Sequence, residues 1–168
     1  MNGVGQSLTR FFILRHGEAE ASLSNDKMRQ LTDRGREQVK QASVDMQPFM
    51  QNNLRFNLAL VSPYTRTQQT FDIVSIRHRA EKRLDTSLIV PNGPVGEAAD
   101  LLLGYCLDDT EQLHNVLVVS HMPLVSFLTA ELANLEMPPI FSTSAFAVID
   151  VEIRSGGGRL ISLHHQHD

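Results

Sequence analysis

Three short, strongly apolar runs constrain the fold of this chain of 168 residues more than any other feature. They cover residues 11–14, 58–61 and 116–119, and each has the length and composition of a buried strand. A segment with helical signals follows each run. Alternation of fully apolar strands with helices is typical of parallel sheets that are covered on both faces. The sequence therefore predicts an α/β fold with three layers, α/β/α, around a mostly parallel mixed sheet.

The expected helices and remaining strands fill the intervals between these runs. Thr32 is expected to cap the first helix, and Ser62 and Pro63 to be the N-cap and the first residue of the second helix. Pro123 is expected to open the last helix. The remaining elements are a helix over 95–107, a short strand near 83–84, and a hairpin of 145–153 and 159–163 at or near an edge of the sheet.

Composition and charge exclude several function classes. The net charge is −4, whereas a nucleic-acid-binding protein usually has a basic excess. No apolar run approaches the length of a membrane span, and the N-terminal residues show no secretory signal. Cys106 is the single cysteine, which excludes an intrachain disulfide and suits a reducing compartment. We therefore expect a monomeric cytoplasmic protein that binds neither nucleic acid nor membrane, with one domain over residues 8–164 and flexible termini at 1–7 and 165–168.

Basic side chains follow all three apolar runs at the point where each strand ends. Arg15 and His16 follow the first, Arg66 lies one helical turn beyond the second, and His121 follows the third. Ligands of an open α/β sheet bind beyond the carboxyl ends of its strands, so these four residues would converge if the strands are neighbours. The helix N-termini there would add N–H groups that bind anions. Guanidinium groups neutralise phosphate oxygens, and an imidazole can attack phosphorus, so the pattern predicts a phosphoryl site.

The same residues carry a family resemblance. The chain resembles the histidine phosphatase superfamily, also called the phosphoglycerate-mutase-like fold, and within it the small SixA-type phosphohistidine phosphatases. The resemblance covers roughly residues 11–150, and the segments 120–125, 137–139 and 143–145 point to the SixA type. The superfamily markers are Arg15-His16-Gly17, Leu31-Thr32 with Gly35 and Gln38, Ser62-Pro63 with Arg66, Gln69-Thr70, and Ser120-His121.

The resemblance implies a phosphoenzyme mechanism. His16 would attack phosphorus while a local backbone carbonyl holds its other ring nitrogen, and water would then hydrolyse phospho-His16. Arg15, Arg66 and a protonated His121 would bind the phosphoryl oxygens, so no metal and no other cofactor is expected. The candidate substrate-binding residues are Gly17, Glu18, Ser62 and Met122, although Glu18 also suits a solvated loop and Ser62 a helix cap.

One departure from the larger family members bears on the substrate. Those members carry a glutamate after the third strand that protonates a leaving alkoxide, whereas this chain has Thr86-Ser87-Leu88 there. An alkoxide needs such a proton donor, but a protonated phosphohistidine ring leaves as neutral imidazole. The expected function is therefore removal of phosphate from a histidine-phosphorylated phosphotransfer protein. Asp85, Glu18 and Glu97 remain possible acids, but each also suits a surface or capping position.

Other interpretations of the sequence remain open. The chain could be a small-molecule phosphomonoesterase of the same superfamily, or a phospho-binding module without turnover. A metal site of His16, His121 and Glu18 is a further possibility, disfavoured because Arg15 and Arg66 would repel a cation. The terminal cluster of His164, His165 and His167 could bind metal, but it also fits an unstructured polar terminus.

Overall fold

A computed structural model describes residues 8–21, 24–51, 54–108 and 112–166. In this part of the chain, six strands form one sheet and four α-helices cover it. The strands are β1 (Leu8–Arg15), β2 (Leu58–Val61), β3 (Arg83–Asp85), β4 (Asn115–Ser120), β5 (Phe146–Glu152) and β6 (Gly157–His164). The helices are α1 (Asp33–Met46), α2 (Thr65–Arg77), α3 (Val95–Asp108) and α4 (Leu124–Ala133). Short 3₁₀ turns lie at Asp26–Met28, Gln47–Phe49 and Ser87–Ile89.

The sheet is mixed, and its strand order is β3-β2-β4-β1-β5-β6. The first four strands of this order pair in parallel, whereas β5 pairs with β1 and β6 in antiparallel fashion. The predicted α/β class and mostly parallel mixed sheet are therefore confirmed, as is the hairpin at the sheet edge. Because β2, β4 and β1 are adjacent and parallel, their carboxyl ends meet at one edge.

Two hydrophobic clusters lie on opposite faces of the sheet. On β1, Phe11 and Ile13 pack into the cluster under α3 and α4, whereas Phe12 and Leu14 pack into the cluster under α1 and α2. All four side chains are fully buried. Successive strand residues point to opposite faces, so an uninterrupted apolar run places side chains in both clusters. The helices thus form two outer layers around the sheet, as the sequence predicts.

The start of α1 follows the prediction, whereas the start of α2 does not. Thr32 caps α1, since its hydroxyl oxygen accepts a hydrogen bond from the Gly35 N–H at 2.9 Å. The prediction that Ser62 caps α2 is wrong, because α2 begins at Thr65 with Tyr64 at the N-cap. The Ser62 hydroxyl instead lies 2.7 Å from Nε2 of His121. A tertiary contact has therefore replaced the local cap.

Two of the three terminal histidines, His164 and His165, lie within the described residues. His164 is the last residue of β6, and His165 Nδ1 lies 2.9 Å from the Ser142 hydroxyl. His167 lies outside the described residues, as do residues 1–7. The predicted domain limits and flexible termini therefore stay predictions. In the ranges that the structure describes, no helix is both long enough and apolar enough to cross a membrane.

Candidate active site

A cleft of about 370 Å³ lies at the carboxyl ends of β1, β2 and β4. The structure brings together there the four residues that the sequence places after these strands. The imidazole rings of His16 and His121 have their centroids 5.2 Å apart. The cleft is lined by Arg15, His16, Glu18, Ala19, Asp26, Arg29, Arg66, Pro91, His121, Met122 and Thr143.

His16 lies at the bottom of the cleft with its two ring nitrogens in different environments. Nδ1 lies 2.7 Å from the Gly17 carbonyl oxygen, and Nε2 accepts a hydrogen bond of 3.2 Å from Nε of Arg66. The carbonyl can only accept, so the proton is on Nδ1 and the lone pair is on Nε2. Burial, reinforced by the charges of Arg66 and Arg15, lowers the pKa of His16 to about 3 despite the opposing effect of the Gly17 carbonyl. At neutral pH, His16 is therefore an uncharged imidazole with an available lone pair.

Gly17 and Gly35 allow β1 and α1 to approach closely beside His16. A β-carbon at position 17 would lie 2.6 Å from the Gly35 carbonyl oxygen, and one at position 35 would lie 2.0 Å from the Glu18 carbonyl oxygen. The Gly17 N–H donates to the Thr70 hydroxyl at 3.2 Å. A larger residue at either position would force the backbone apart, and the carbonyl that holds His16 would move with it.

Arg15 and Arg66 bring two guanidinium groups to the cleft. Nη1 of Arg15 donates to the Phe141 carbonyl oxygen at 2.7 Å, and its Nε is buried without a hydrogen-bond partner in the described part of the chain. Arg66 is 3% exposed and donates to the Asp26 carbonyl oxygen at 2.8 Å and to the Asp26 carboxylate at 3.3 Å. Burial lowers the pKa of both arginines, but a guanidinium keeps its charge in proteins. Two cations therefore flank the His16 lone pair.

His121 is the fourth member of the group, and it is 1% exposed. Nε2 contacts the Ser62 hydroxyl at 2.7 Å, and the Tyr64 ring lies 4.9 Å away, centroid to centroid. Nδ1 is buried and has no partner among the residues that the structure describes. Burial is the main cause that lowers the pKa of His121 to about 2, followed by His16 and the nearby arginines. His121 is therefore neutral in this structure at neutral pH, mainly because it is buried, and its predicted protonated role at a bound phosphoryl group stays a prediction.

Two buried nitrogens of the cleft lack partners within the described residues: Nε of Arg15 and Nδ1 of His121. If the Ser62 hydroxyl donates to Nε2 of the neutral His121, the ring proton is on Nδ1, so both unpartnered atoms are donors. A buried donor without an acceptor costs free energy. An anion with several oxygens, such as a phosphoryl group, would satisfy both donors and offset the guanidinium charges.

The other sequence candidates occupy different positions around this group. Glu18 and Met122 line the cleft, and the Glu18 carboxylate accepts a 2.9 Å hydrogen bond from the Thr32 hydroxyl. Ser62 is fully buried and contacts His121, so it does not line the cleft. Asp85 and Glu97 do not line it either, and Asp85 pairs with Arg83 at 3.0 Å. No group of three potential metal ligands occurs among the described residues, so His16, His121 and Glu18 do not form one there.

Sequence reasoning missed Asp26 and Arg29, which line the cleft from the loop between β1 and α1. One Asp26 carboxylate oxygen accepts a hydrogen bond from Arg29 at 2.8 Å, and the other accepts one from Arg66 at 3.3 Å. Burial raises the pKa of Asp26, but the charges of Arg66 and Arg29 outweigh this effect and lower it overall. The available signal in the sequence was the concentration of charged residues shortly after Arg15-His16-Gly17.

Comparisons with known proteins agree with this geometry. The family model described as "Histidine phosphatase superfamily (branch 1)" matches residues 11–89. The chain is 35% identical over 156 residues to the phosphohistidine phosphatase SixA of Escherichia coli, and the match covers 88% of each chain. It is 37% identical over 150 residues to a SixA homolog of Haemophilus influenzae, covering 81% of this chain and 84% of that one. A solved structure of the protein histidine phosphatase SixA complexed with tungstate superposes with a TM-score of 0.84 at 30% identity, covering 94% of this chain and 97% of that one.

Proposed function

This chain belongs to the histidine phosphatase superfamily and is a phosphatase, and we propose that its substrate is a phosphohistidine side chain of a phosphotransfer protein. The observation that carries the proposal is the geometry around His16. Its neutral imidazole presents the Nε2 lone pair beside two guanidinium groups, and the Gly17 carbonyl holds Nδ1 at 2.7 Å. The curated relatives supply the substrate class, since they are phosphohistidine phosphatases by name.

The first chemical step is transfer of the phosphoryl group to His16. The Nε2 lone pair forms a bond to phosphorus while the bond from phosphorus to the substrate imidazole breaks, and that bonding pair returns to the substrate nitrogen. Arg66 gives up its hydrogen bond to Nε2 and, with Arg15, binds the phosphoryl oxygens. Nδ1 of His121 donates a hydrogen bond to another phosphoryl oxygen. The pKa of His121, about 2 in this structure, rises when the phosphoryl dianion lies beside the ring.

The second step regenerates the enzyme. Water attacks phospho-His16, the bond between phosphorus and Nε2 breaks, and the water proton passes to the released phosphate or to solvent. The lone pair returns to Nε2 because Nδ1 has kept its proton on the Gly17 carbonyl throughout. The arginines supply the positive charge that phosphoryl transfer requires, so the proposal involves no metal ion. An analogous oxyanion, tungstate, is bound by the SixA protein whose structure resembles this one.

The absence of a glutamate after β3 supports a phosphoramidate substrate. Thr86 occupies this region and caps the 3₁₀ turn Ser87–Ile89, its hydroxyl accepting from the Leu88 N–H at 3.2 Å. Glu18 and Asp26 are the carboxylates among the cleft residues. The arginines that bind Asp26 lower its pKa and keep it ionised, which makes it a poor proton donor. A substrate whose leaving group departs as neutral imidazole does not need such a donor.

The proposal is tested by comparing two substrate classes. The purified protein is incubated with a phosphotransfer domain phosphorylated on histidine, with a histidine-phosphorylated carrier of the sugar phosphotransferase system, and with p-nitrophenyl phosphate. A higher kcat/KM on at least one phosphohistidine protein than on the ester supports the proposal. Equal or higher efficiency on the ester would favour the phosphomonoesterase alternative, and absence of turnover on all three would favour the phospho-binding module.

The nucleophile is tested separately with His16→Ala. This substitution removes the only group proposed to form a covalent bond to phosphorus, so turnover should be abolished and no phosphoenzyme should be trapped by an alkaline quench, in which phosphohistidine is stable. Wild-type activity should persist in the presence of a chelator. Residual wild-type-like turnover in His16→Ala would remove the assignment, and loss of activity on chelation would revive the metal site. We further propose a cytoplasmic, monomeric enzyme, which fractionation and sedimentation can test.

A further inference from the structure

Two of the most exposed apolar side chains in the described residues lie on segments that contact the arginines of the catalytic cleft. Met28 is 60% exposed and Ile140 is 77% exposed. We call these two residues the apolar rim. Single exposed apolar residues are ordinary on protein surfaces, so exposure by itself does not indicate a binding site. Met28 and Ile140 differ from other exposed residues because each lies on a segment that contacts a catalytic arginine.

Each residue of the apolar rim is joined through a short stretch of backbone to one of the catalytic arginines. Ile140 directly precedes Phe141, whose carbonyl oxygen accepts from Arg15 at 2.7 Å. Met28 follows two residues after Asp26, whose carbonyl oxygen accepts from Arg66 at 2.8 Å. Arg15 and Arg66 both line the cleft. The apolar rim therefore has one member on each of the two segments that hold the phosphoryl-binding guanidinium groups.

Both positions are also held in place. Phe141 is 1% exposed and packs in the core under α3 and α4, which anchors the segment beside Ile140. Pro138 and Pro139 precede Ile140 and restrict the backbone there. On the other segment, the Thr65 hydroxyl contacts the Met28 sulfur at 4.0 Å, and Met28 belongs to the 3₁₀ turn Asp26–Met28. A surface that is ordered before binding loses less conformational entropy when a partner docks.

The depth of the nucleophile indicates what this surface contacts. His16 is only 6% exposed, so the phosphohistidine must enter the cleft to reach Nε2. A histidine side chain is short, and the backbone that carries it must then descend to the rim. Resting on the proposed function, we propose that the apolar rim is the docking surface for the protein substrate, and that it packs against apolar side chains flanking the substrate's phosphohistidine.

A matched set of variants separates docking from chemistry. Met28→Glu and Ile140→Glu place a charge on the apolar rim. Ile76→Glu is the control, because Ile76 is 85% exposed and lies ten residues from Arg66 along α2, about 15 Å away by helical rise. Each protein is assayed on the phosphorylated protein that the wild type dephosphorylates fastest, and on N-phosphoimidazole. The latter is a small phosphoramidate that can reach His16 without touching the rim.

The expected result is a loss confined to the protein substrate. Each rim variant should lower kcat/KM on the phosphorylated protein by about tenfold, the cost typical of an energetically important interface residue. Turnover of N-phosphoimidazole should be unchanged in both rim variants, and Ile76→Glu should match the wild type on both substrates.

Three outcomes would overturn the inference while leaving the proposed function intact. Unchanged kcat/KM on the protein substrate would show that the rim makes no contact. Equal losses on both substrates would show that the substitutions disturb Arg15 or Arg66. A wild-type dimer that the rim variants dissociate would show that a second copy of this chain covers the surface. Failure of the wild type on every phosphohistidine protein would instead overturn the proposed function, which the wild-type assay reveals before any variant is made.

Discussion

The two ends of β1 use arginine in opposite ways. At the amino end, Arg10 pairs bidentately with Asp150 on the neighbouring β5, at 2.7 and 2.9 Å, and donates to the Phe49 carbonyl oxygen at 2.9 Å. At the carboxyl end, Arg15 donates to the Phe141 carbonyl oxygen, and its Nε is buried with no partner in the described ranges. The hydrogen bond to Asp150 raises the pKa of Arg10, whereas burial and the charge of Arg66 lower the pKa of Arg15. One arginine has its counter-charge within the fold, and the other requires it from a ligand.

This contrast separates stability from function along a single strand. Removing one partner of a substantially buried ion pair leaves the other charge uncompensated, which is strongly destabilising. Removing Arg15, which has no carboxylate partner among the described residues, instead relieves its repulsion from Arg66. Substitutions at the amino end of β1 should therefore lower the free energy of unfolding, whereas substitutions at the carboxyl end should lower kcat/KM.

The largest expected effect comes from substituting the two arginines in parallel. Arg15→Ala should lower kcat/KM on a phosphohistidine substrate by about 10²- to 10³-fold, the usual cost of losing one oxyanion-stabilising donor. Its free energy of unfolding should be unchanged or increased. Arg10→Ala should lower the free energy of unfolding by about 3 kcal/mol because Asp150 loses its partner, while the folded protein stays active. Urea unfolding and steady-state kinetics on both variants test the contrast. It is wrong if Arg10→Ala loses activity while Arg15→Ala loses stability, or if both variants lose both.

The next effect is stabilisation by an oxyanion. Tungstate at a hundred times its dissociation constant should raise the free energy of unfolding by about 2.7 kcal/mol if it binds only the folded cleft. Arg10→Ala should keep this increment, although it starts from a lower stability. Arg15→Ala should lose most of this increment, because Nε of Arg15 is a donor that has no partner within the residues described by the structure. The measurement is urea unfolding with and without tungstate, and equal stabilisation of both variants would place the anion elsewhere.

The pH dependence of the free energy of unfolding tests the carboxyl end of β1 without a ligand. His16 and His121 have pKa values of about 3 and about 2 in the fold, whereas an unfolded histidine protonates near pH 6.5. Between these values the unfolded chain binds protons that the folded chain does not, so stability falls as the pH is lowered through that window and is fully present above it. Lowering the pH from 7 to 5 should cost about 2 kcal/mol for each imidazole.

Asparagine does not titrate, so His16→Asn and His121→Asn should each lose less stability than the wild type over the same pH interval. Urea unfolding at pH 7 and pH 5 measures the difference. Parallel losses in the wild type and both variants would mean that these imidazoles are protonated in the folded protein.

Most of the fold could be predicted from the sequence because its signals are local. Residues 11–14, 58–61 and 116–119 are fully apolar, and a strand that is buried on both faces requires nothing more. Thr32 caps α1 through a residue only three positions away. The convergence of Arg15, His16, Arg66 and His121 could also be predicted, since the carboxyl ends of adjacent parallel strands share one edge.

The features that the sequence did not predict depend on distant partners. Ser62 has the local signature of a helix cap, but its hydroxyl contacts His121, 59 residues away in the chain. Asp26 looks like a loop carboxylate until the fold places it on Arg66, 40 residues away. The charge state of His121 depends on how many cations and how much buried surface surround it, which no single segment of sequence specifies.

The smallest expected effect comes from substituting two aspartates: Asp26, which contacts Arg66, and Asp150, which contacts Arg10. Asp26→Asn removes the carboxylate charge that holds Arg66 at 3.3 Å, while the Asp26 carbonyl oxygen at 2.8 Å remains. Because one of two tethers is kept, kcat/KM should fall by only about tenfold, the value of one charge-assisted hydrogen bond. Stability should change little, since the Asp26 side chain is 58% exposed.

Asp150→Asn is the matched control at the other end of β1, where the side chain is 11% exposed, and it should lower stability but not kcat/KM. If Asp26→Asn behaves like Asp150→Asn, then Asp26 supports the fold and does not position Arg66, and the separation between the two ends of the strand is incomplete.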